Sequence, residues 1–551
     1  MKAAACVAEI LKREGVDLLF AYPLNPLIDA VADVGIRPII VRQERVGLHM
    51  ADAMSRLTSG RRTGVFVMQL GPGAENAFGG VAQAYAESVP ILVLPAGYPR
   101  AQMNLPPNFN ALHSYRPVTK WADQVPLAET VPDVMLRAFT QLRNGRPGPV
   151  LVEFPADVLT EDVPEPLHYG PAASTRYGPD PEAVSAAADV LVAARRPLIY
   201  AGQGVHYARA WPQLRELAEL LEAPVATSLE GKSAFPEQHP LSLGAGGRAL
   251  PLPVHEFVHS ADCVFGIGAS FTKTSFGIAW PDVSRTVVHA TLDPSDFNRG
   301  IRADHVIAGD AALTLDALNH ELRARIGTGG RGRADALAAE IQALRARWWK
   351  RWEPKMRSNE VPLSPYRVLS DLFETVDVAN TIITHDAGGP RDQLSPFWQT
   401  REPLTYLGWG KTTQLGYGLG LAMGAKLTCP DKLCVNVMGD AAFGFTAMDI
   451  ETAARNEIPT LTILLNNSTM ACELWAMELS TAKFRTTDIT GDYTGLARSL
   501  GAYGERVEQP GEIVPAIRRA VEQTHSGKPA VLEFITAEET EFSGPATLED
   551  L

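Results

Sequence analysis

The stretch Leu433-Cys434-Val435-Asn436-Val437-Met438-Gly439-Asp440 decides the reading of this chain, together with Thr460-Leu461-Thr462-Ile463-Leu464-Leu465-Asn466-Asn467 downstream. Each is a run of strand length, rich in apolar residues, that stops on polar ones. Near-continuous apolar runs mark strands covered on both faces of a parallel sheet. Between them, Thr446 to Asn456 has the spacing of a helix, with Thr446 as the expected cap and Asp449 three positions on completing a capping-box-like pair. Asp440 and Asn467 are 27 residues apart, close to the roughly 30 residues of a right-handed βαβ unit. Both side chains are therefore expected at the carboxyl ends of parallel strands, the edge where open α/β sheets bind ligands. A carboxylate and an amide oxygen converging there suit a hard, six-coordinate cation such as Mg2+, with positions left for phosphate oxygens, a backbone carbonyl and water. The small Ala441 and Ala442 leave backbone N–H groups open to that phosphate. An aspartate that only caps a helix is the competing reading of Gly439-Asp440; Asn466-Asn467 at this separation weighs against it.

Working outward, short β-branched runs alternate with amphipathic stretches, as at Pro38 to Val41, Gly64 to Met68, Ile91 to Leu94 and Val150 to Glu153. That alternation predicts parallel sheets with crossover helices. A chain of 551 residues holds about three domains. The proline-rich Leu159 to Pro181 reads as a linker, and Gly327 to Gly332 followed by a charged, tryptophan-containing helix separates a second block from a third. The expected fold is α/β, with three doubly wound parallel-sheet domains at 1–165, 181–326 and 363–536.

Composition narrows the function. With 46% hydrophobic and 21% charged residues the chain is globular rather than disordered, and its net charge of −13 without a basic run makes nucleic acid an unexpected partner. The N-terminal Met1 to Tyr22 carries Glu9, Lys12, Arg13, Glu14 and Asp17, so it reads as an amphipathic helix rather than a signal peptide, and no segment has the uncharged length to span a membrane. Five scattered cysteines match neither a zinc site nor a disulfide framework, so a cytoplasmic location is expected.

Gly439-Asp440, about 25 further residues, then Asn466-Asn467 resembles the diphosphate and Mg2+ signature of thiamine diphosphate (ThDP) enzymes. The order of the surrounding segments is similar to the acetolactate synthase-like and benzoylformate decarboxylase-like group, with Ala441 where Gly is usual. The resemblance implies an N-terminal pyrimidine-binding, a middle and a C-terminal diphosphate-binding domain. It assigns Glu44, at the end of a strand Ile39 to Gln43, to the aminopyrimidine ring nitrogen; burial raising its pKa would let it hold the proton that this contact needs. Gln69-Leu70-Gly71-Pro72-Gly73-Ala74-Glu75-Asn76 resembles the family's Gly-Pro-Gly loop. Pro23, Gly73, Asn76, Gly388, Gly439, Ala441, Ala442, Asn467 and Met470 are implied cofactor contacts, Leu415 the apolar wedge beneath the cofactor, and the Thr413 carbonyl the acceptor for its amino group. Asp440, Asn467 and the Thr469 carbonyl are the implied metal ligands.

Asn25, Gln69 and His113 correspond to positions that face the reacting carbon in relatives; the first two can hold a carboxylate or carbonyl, the third could shuttle protons. Glu473 and Trp475 would face the channel if their segment is helical, and Gly389-Pro390-Arg391 stands where relatives carry a Gln-His pair. The implied activity is that of a ThDP- and Mg2+-dependent lyase or carboligase acting on a 2-oxo acid or 2-hydroxyketone. It implies a small-molecule substrate and a homodimer or homotetramer with active sites between subunits. Ala442 to Met448 is more similar to oxalyl-CoA decarboxylases and 2-hydroxyacyl-CoA lyases, which supplies the alternative. A non-catalytic scaffold is disfavoured because Glu44, Asp440 and Asn467 are all present. Gly202-Gln203-Gly204 in the middle block leaves FAD, ADP or no nucleotide open.

Overall fold

Short apolar strands separated by helices cannot pair as hairpins, and right-handed crossovers bring them together side by side. The computed structural model, which describes residues 1–549 and 551, contains three six-stranded sheets in which every pairing is parallel. The first comprises β1 (Leu18–Ala21), β2 (Arg37–Ile40), β3 (Gly64–Met68), β4 (Ile91–Gly97), β5 (Trp121–Gln124) and β6 (Val150–Pro155), in the order β2-β1-β3-β4-β6-β5. The second comprises β7 (Pro197–Ala201), β8 (Val225–Ser228), β9 (Ser242–Gly246), β10 (Cys263–Ile267), β11 (Thr286–Thr291) and β12 (His305–Ala308), in the order β12-β11-β10-β7-β8-β9. The third comprises β13 (Thr381–His385), β14 (Tyr406–Leu407), β15 (Leu433–Gly439), β16 (Leu461–Asn466), β17 (Tyr503–Val507) and β18 (Ala530–Ile535), in the order β14-β13-β15-β16-β18-β17.

Each order reverses about its first strand in sequence, the first and third sheets also exchanging their last two strands, and the crevice at such a switch point is where an open α/β sheet takes its ligand. The reversals fall between β1 and β3, between β7 and β10, and between β13 and β15. Three candidate sites follow from topology alone.

The first and third sheets share one core. The helix Glu44–Leu57 is buried over almost its whole length and lies on the helix Tyr417–Thr428. Phe20, Val46 and Met50 from one side and Leu419, Met423 and Phe443 from the other belong to one continuous apolar cluster. Glycine makes the approach possible. A Cβ at Gly420 would lie 2.5 Å from His49 Cβ, and one at Gly424 would lie 2.3 Å from the Met50 carbonyl oxygen. Polar ties cross the same seam: Tyr417 donates to Asp52 at 2.6 Å, and Arg56, paired with Asp52 within its own helix at 2.7 Å, donates to the Gly408 carbonyl at 2.8 Å. Glu87 accepts the Gly410 and Lys411 amides at 3.2 and 2.9 Å.

Three sequence expectations shift. The helix expected over Thr446 to Asn456 starts earlier: Asp440–Thr446 is helical, a 3-10 turn spans Ala447–Asp449, and Ile450–Arg455 forms the next helix. Thr446 therefore ends a helix instead of capping one, and Asp449 accepts the Arg42 amide of the first domain at 2.7 Å. Tertiary contact overrides a local capping pattern here. Strand β2 stops at Ile40, so Glu44 opens its helix after a short turn instead of ending a strand, and β16 lies one residue later than expected.

Alanine in place of glycine usually strengthens a helix by about 1 kcal/mol. At Gly424 we expect the reverse, a loss of about 1–3 kcal/mol from overpacking. Thermal unfolding of Gly424→Ala checks this, and an unchanged or higher melting temperature would contradict the close packing.

Candidate active site

The β13/β15 switch point carries two buried carboxylates. Asp386 follows β13, and its oxygens accept the amides of Ala387 (2.8 Å), Gly416 (2.9 Å) and Gly418 (3.0 Å). These bonds tie down the turn that presents Leu415. Gly416 has φ +89°, and a Cβ there would stand 2.5 Å from Thr446 Cγ2, so only glycine fits. Leu415 is half-buried and touches both the shared core and the smaller cluster around Trp409.

Asp440 follows β15 and is 3% exposed. One carboxylate oxygen accepts the Ala441 amide at 2.8 Å, whereas Oδ2 is buried with no hydrogen-bond partner among the described residues. Burial lifts its pKa to about 6, against the opposing pull of backbone donors that include Ala441 and Ser468. Strand β16 is the next neighbour, Gly439 pairing with Leu465, and Asn467 follows it directly. Asn467 Oδ1 accepts the Thr469 amide at 3.1 Å, and the Met470 amide bonds to the Thr487 carbonyl at 2.9 Å. A buried, unsatisfied carboxylate oxygen is costly unless something pairs with it. With the Asn467 amide oxygen just past the adjoining strand, it is an oxygen donor of the kind that suits a divalent cation such as Mg2+. Gly388, at φ +80°, opens the helix Gly389–Leu394 beside this edge, and a Cβ on it would lie 3.7 Å from Cys472 Sγ.

At the first sheet, Glu44 is 3% exposed. Burial raises its pKa, opposed by its own backbone amide and by a hydrogen bond with the Asn76 side chain. Tyr115 is fully buried nearby, donates to the Ala74 carbonyl, and has its pKa pushed up by burial and by the Glu44 charge. Asn25 and Gln69 follow β1 and β3 at the switch point, and both are exposed. A Cβ on Gly73 would meet Gln69 Cγ at 2.9 Å, which accounts for a glycine behind that side chain. Pro23 is exposed beside Asn25. His113 is also exposed, and its amide is held by Asn110. Trp475, in a 3-10 segment Ala471–Ala476, is 79% exposed, and Glu473 is exposed beside it.

Arg45 joins the two edges: its guanidinium lies 5.5 Å from the Phe445 ring centre and feels the Asp386 charge. Asp386, Arg45 and Tyr115 were absent from the sequence-based set. Asp386 had a readable signal, a charged residue that follows an apolar strand and precedes Gly388-Gly389. Arg45 and Tyr115 had none, since their partners lie far along the chain.

The β7/β10 switch point opens into a cavity of about 750 Å³. Gly204 and Gly268 line it side by side, where a Cβ on either would come within 2.8 Å of the other's backbone. Asp293 and Asp310 line another part of the wall.

Three stretches match descriptions of known domains. Residues 1–124 match the N-terminal TPP binding domain of thiamine pyrophosphate enzymes, 184–318 the central domain, and 386–534 the C-terminal TPP binding domain. A probable acetolactate synthase large subunit of Methanocaldococcus jannaschii is 30% identical, over 97% of this chain and 92% of its own length. The acetolactate synthase isozyme 3 large subunit of Escherichia coli is 28% identical, over 96% and 93%. An acetolactate synthase of Mycobacterium bovis is 29% identical, over 97% and 88%. Matched by all three domains in order and similar to these relatives over nearly its whole length, the chain belongs to the thiamine pyrophosphate enzyme family.

Proposed function

We propose that this enzyme is a ThDP- and Mg2+-dependent carboligase that joins two 2-oxo acids, as the names of its acetolactate synthase relatives suggest. The observation that carries this reading is the pairing of environments: an unsatisfied Asp440 oxygen at one sheet edge and a buried Glu44 at another. Residues 1–165 would bind the pyrimidine end of the cofactor and 363–536 its diphosphate, with 181–326 between them. Bound there, the cofactor supplies a carbon nucleophile and an electron sink for the bond being broken or made.

The chain's own groups do the rest. Glu44, whose carboxylate is disfavoured by burial, is the group that would share a carboxyl proton with the ring nitrogen. Leu415 shapes the cofactor from below, held by the Asp386 bonds to Gly416 and Gly418. Asp440, Asn467 and the Thr469 carbonyl hold the cation, and Gly73, Asn76, Gly388, Gly439, Ala441, Ala442 and Met470 border the cofactor. Asn25 and Gln69 orient the substrate's polar oxygens at the β1/β3 edge; His113, exposed on the short helix Ala111–Tyr115 where a loop was expected, is the candidate proton shuttle.

The middle-domain cavity has glycines where a phosphate backbone needs close approach and aspartates suited to ribose hydroxyls, which supports an adenine nucleotide such as FAD or ADP. Phe445 and Met448 are about half exposed near the third sheet's edge, and exposed apolar side chains here support a homodimer or homotetramer. No helix among the described residues is long and apolar enough to cross a membrane, and a cytoplasmic location is part of this reading.

Replacing Glu44 with Gln should lower turnover about 10²–10⁴-fold, while calorimetric uptake of ThDP stays within a few-fold of the parent. Full turnover in that variant would remove Glu44 from the mechanism. Asp440→Ala should abolish Mg2+-dependent retention of ThDP. Dialysis of the parent against EDTA should mimic this loss and Mg2+ should reverse it, so parent protein that keeps ThDP without a divalent ion would refute the metal assignment.

A further inference from the structure

A second cavity, of about 390 Å³, lies apart from the three switch points, between the helix Ala334–Met356, the helix Pro365–Thr375 and the segment Gln393 to Trp398. Five aromatic side chains line it: Trp349, Tyr366, Phe373, Phe397 and Trp398. These rings are held by one another and by their neighbours. Phe397 lies 4.7 Å from Trp348 and within 8° of parallel to it, and it meets Trp349, Trp352 and Tyr366 edge-on; Phe373 meets Trp398 edge-on at 5.4 Å. Rings braced in this way cannot swing inward to close the space. Protein interiors otherwise pack without such gaps, because a bare apolar wall forfeits its dispersion contacts.

The charges around this space cancel. Arg357 pairs with Glu374 at 2.5 Å, and Lys350 and Glu353 add one charge of each sign. The cavity also touches the proposed cofactor edge. Gln393 and Leu394 on its wall end the helix Gly389–Leu394, which opens at Gly388. The Gln393 amide folds back on the start of that helix: a Cβ on Gly389 would lie 3.5 Å from Gln393 Oε1 and 3.6 Å from Nε2. Arg391 and Asp392 between them are buried and paired at 2.8 Å. A six-residue helix fastened at both ends shifts as one piece, so a molecule pressing on Gln393 and Leu394 also moves Gly388.

We propose that this cavity is a regulatory site for a neutral, flat aromatic molecule of one or two rings, and that its occupancy changes the affinity for ThDP. Fixed rings in offset and edge-on arrangements favour another ring over a flexible chain. Because the surrounding charges cancel, an ion would lose its hydration without gaining a partner. The volume is that of a small-molecule pocket. Coupling between two such sites is reciprocal, so ThDP must change the aromatic ligand's affinity by the factor that the ligand changes its own. The cofactor reading enters this proposal only through Gly388.

The test uses full-length protein, with and without ThDP and Mg2+, titrated with quinoline by calorimetry and by tryptophan emission. The anion 1-naphthoate and the non-planar cyclohexanol serve as comparisons. The parent should bind one quinoline per chain at least tenfold tighter than either, with quenched emission, and quinoline should change ThDP affinity at least threefold. Ala346→Phe, at an exposed position on the rim, should obstruct the cavity and weaken quinoline at least tenfold while the variant still takes up ThDP. Phe373→Ala removes one ring of the wall and should also weaken quinoline, which keeps the test alive if one variant fails to fold. Equal binding of the three probes would overturn the proposal, as would quinoline affinity unchanged in the folded variants. A parent that takes up ThDP and quinoline independently overturns this proposal alone; one that takes up no ThDP overturns the cofactor reading with it.

Discussion

Everything at the proposed site depends on how closely the helix Glu44–Leu57 approaches the helix Tyr417–Thr428. Gly420 and Gly424 let the backbones come near enough for His49 and Met50 to fill the space that side chains would otherwise claim. The interface also encloses Asp52, Arg56 and Tyr417, whose mutual bonds satisfy groups that would be very costly alone. A buried ion pair of this sort adds little net stability over a well-packed apolar contact, and its value is more often orientation. Here the pair lies within one helix, and its bonds to Tyr417 orient that helix against the other. Because Glu44 begins the first helix and the Leu415 turn precedes the second, the same contact sets where the carboxyl and the wedge lie.

Much of this was legible in the chain, and for a physical reason. Strands buried on both faces must be apolar throughout, so β15 and β16 stand out, and a polar residue at the end of such a run is conspicuous. The parallel three-sheet architecture follows from runs too far apart for hairpins. Less legible were features set by distant partners. Asp449 resembles a local capping residue, yet its carboxylate is taken by the amide of Arg42, some four hundred positions away along the chain. Arg45 and Tyr115 carry no local pattern. Asp386 could have been noticed as a polar end to an apolar strand, but its bonds to Gly416 and Gly418 depend on a fold that brings two loops together.

The middle sheet repeats the logic of its neighbours with different chemistry. All three reverse their strand order about their first strand and have a crevice there, but the residues supplied differ: carboxylates and an amide at β13/β15, a carboxyl and amides near β1/β3, and bare glycine backbone at β7/β10. In the proposed reading, one architecture thus serves as a cation site, a proton-holding site and a smooth cradle. Phe276 lies where the third sheet's edge and the middle-domain cradle adjoin, with the Arg391 guanidinium over its ring and the Arg248 amide on its carbonyl.

The core shared by the first and third sheets also shapes how the chain acquires its structure. Phe20 and Val46 pack in the same cluster as Leu419 and Phe443, though the whole middle domain lies between them in sequence. During synthesis the amino-terminal domain leaves the ribosome with that apolar flank unmatched, and it stays so until the last third of the chain has been made. Contacts of such long sequence separation form slowly. The nascent protein therefore passes through an interval in which its stickiest surface is bare, and folding yield, rather than the stability of the finished molecule, becomes the quantity most exposed to changes at that seam.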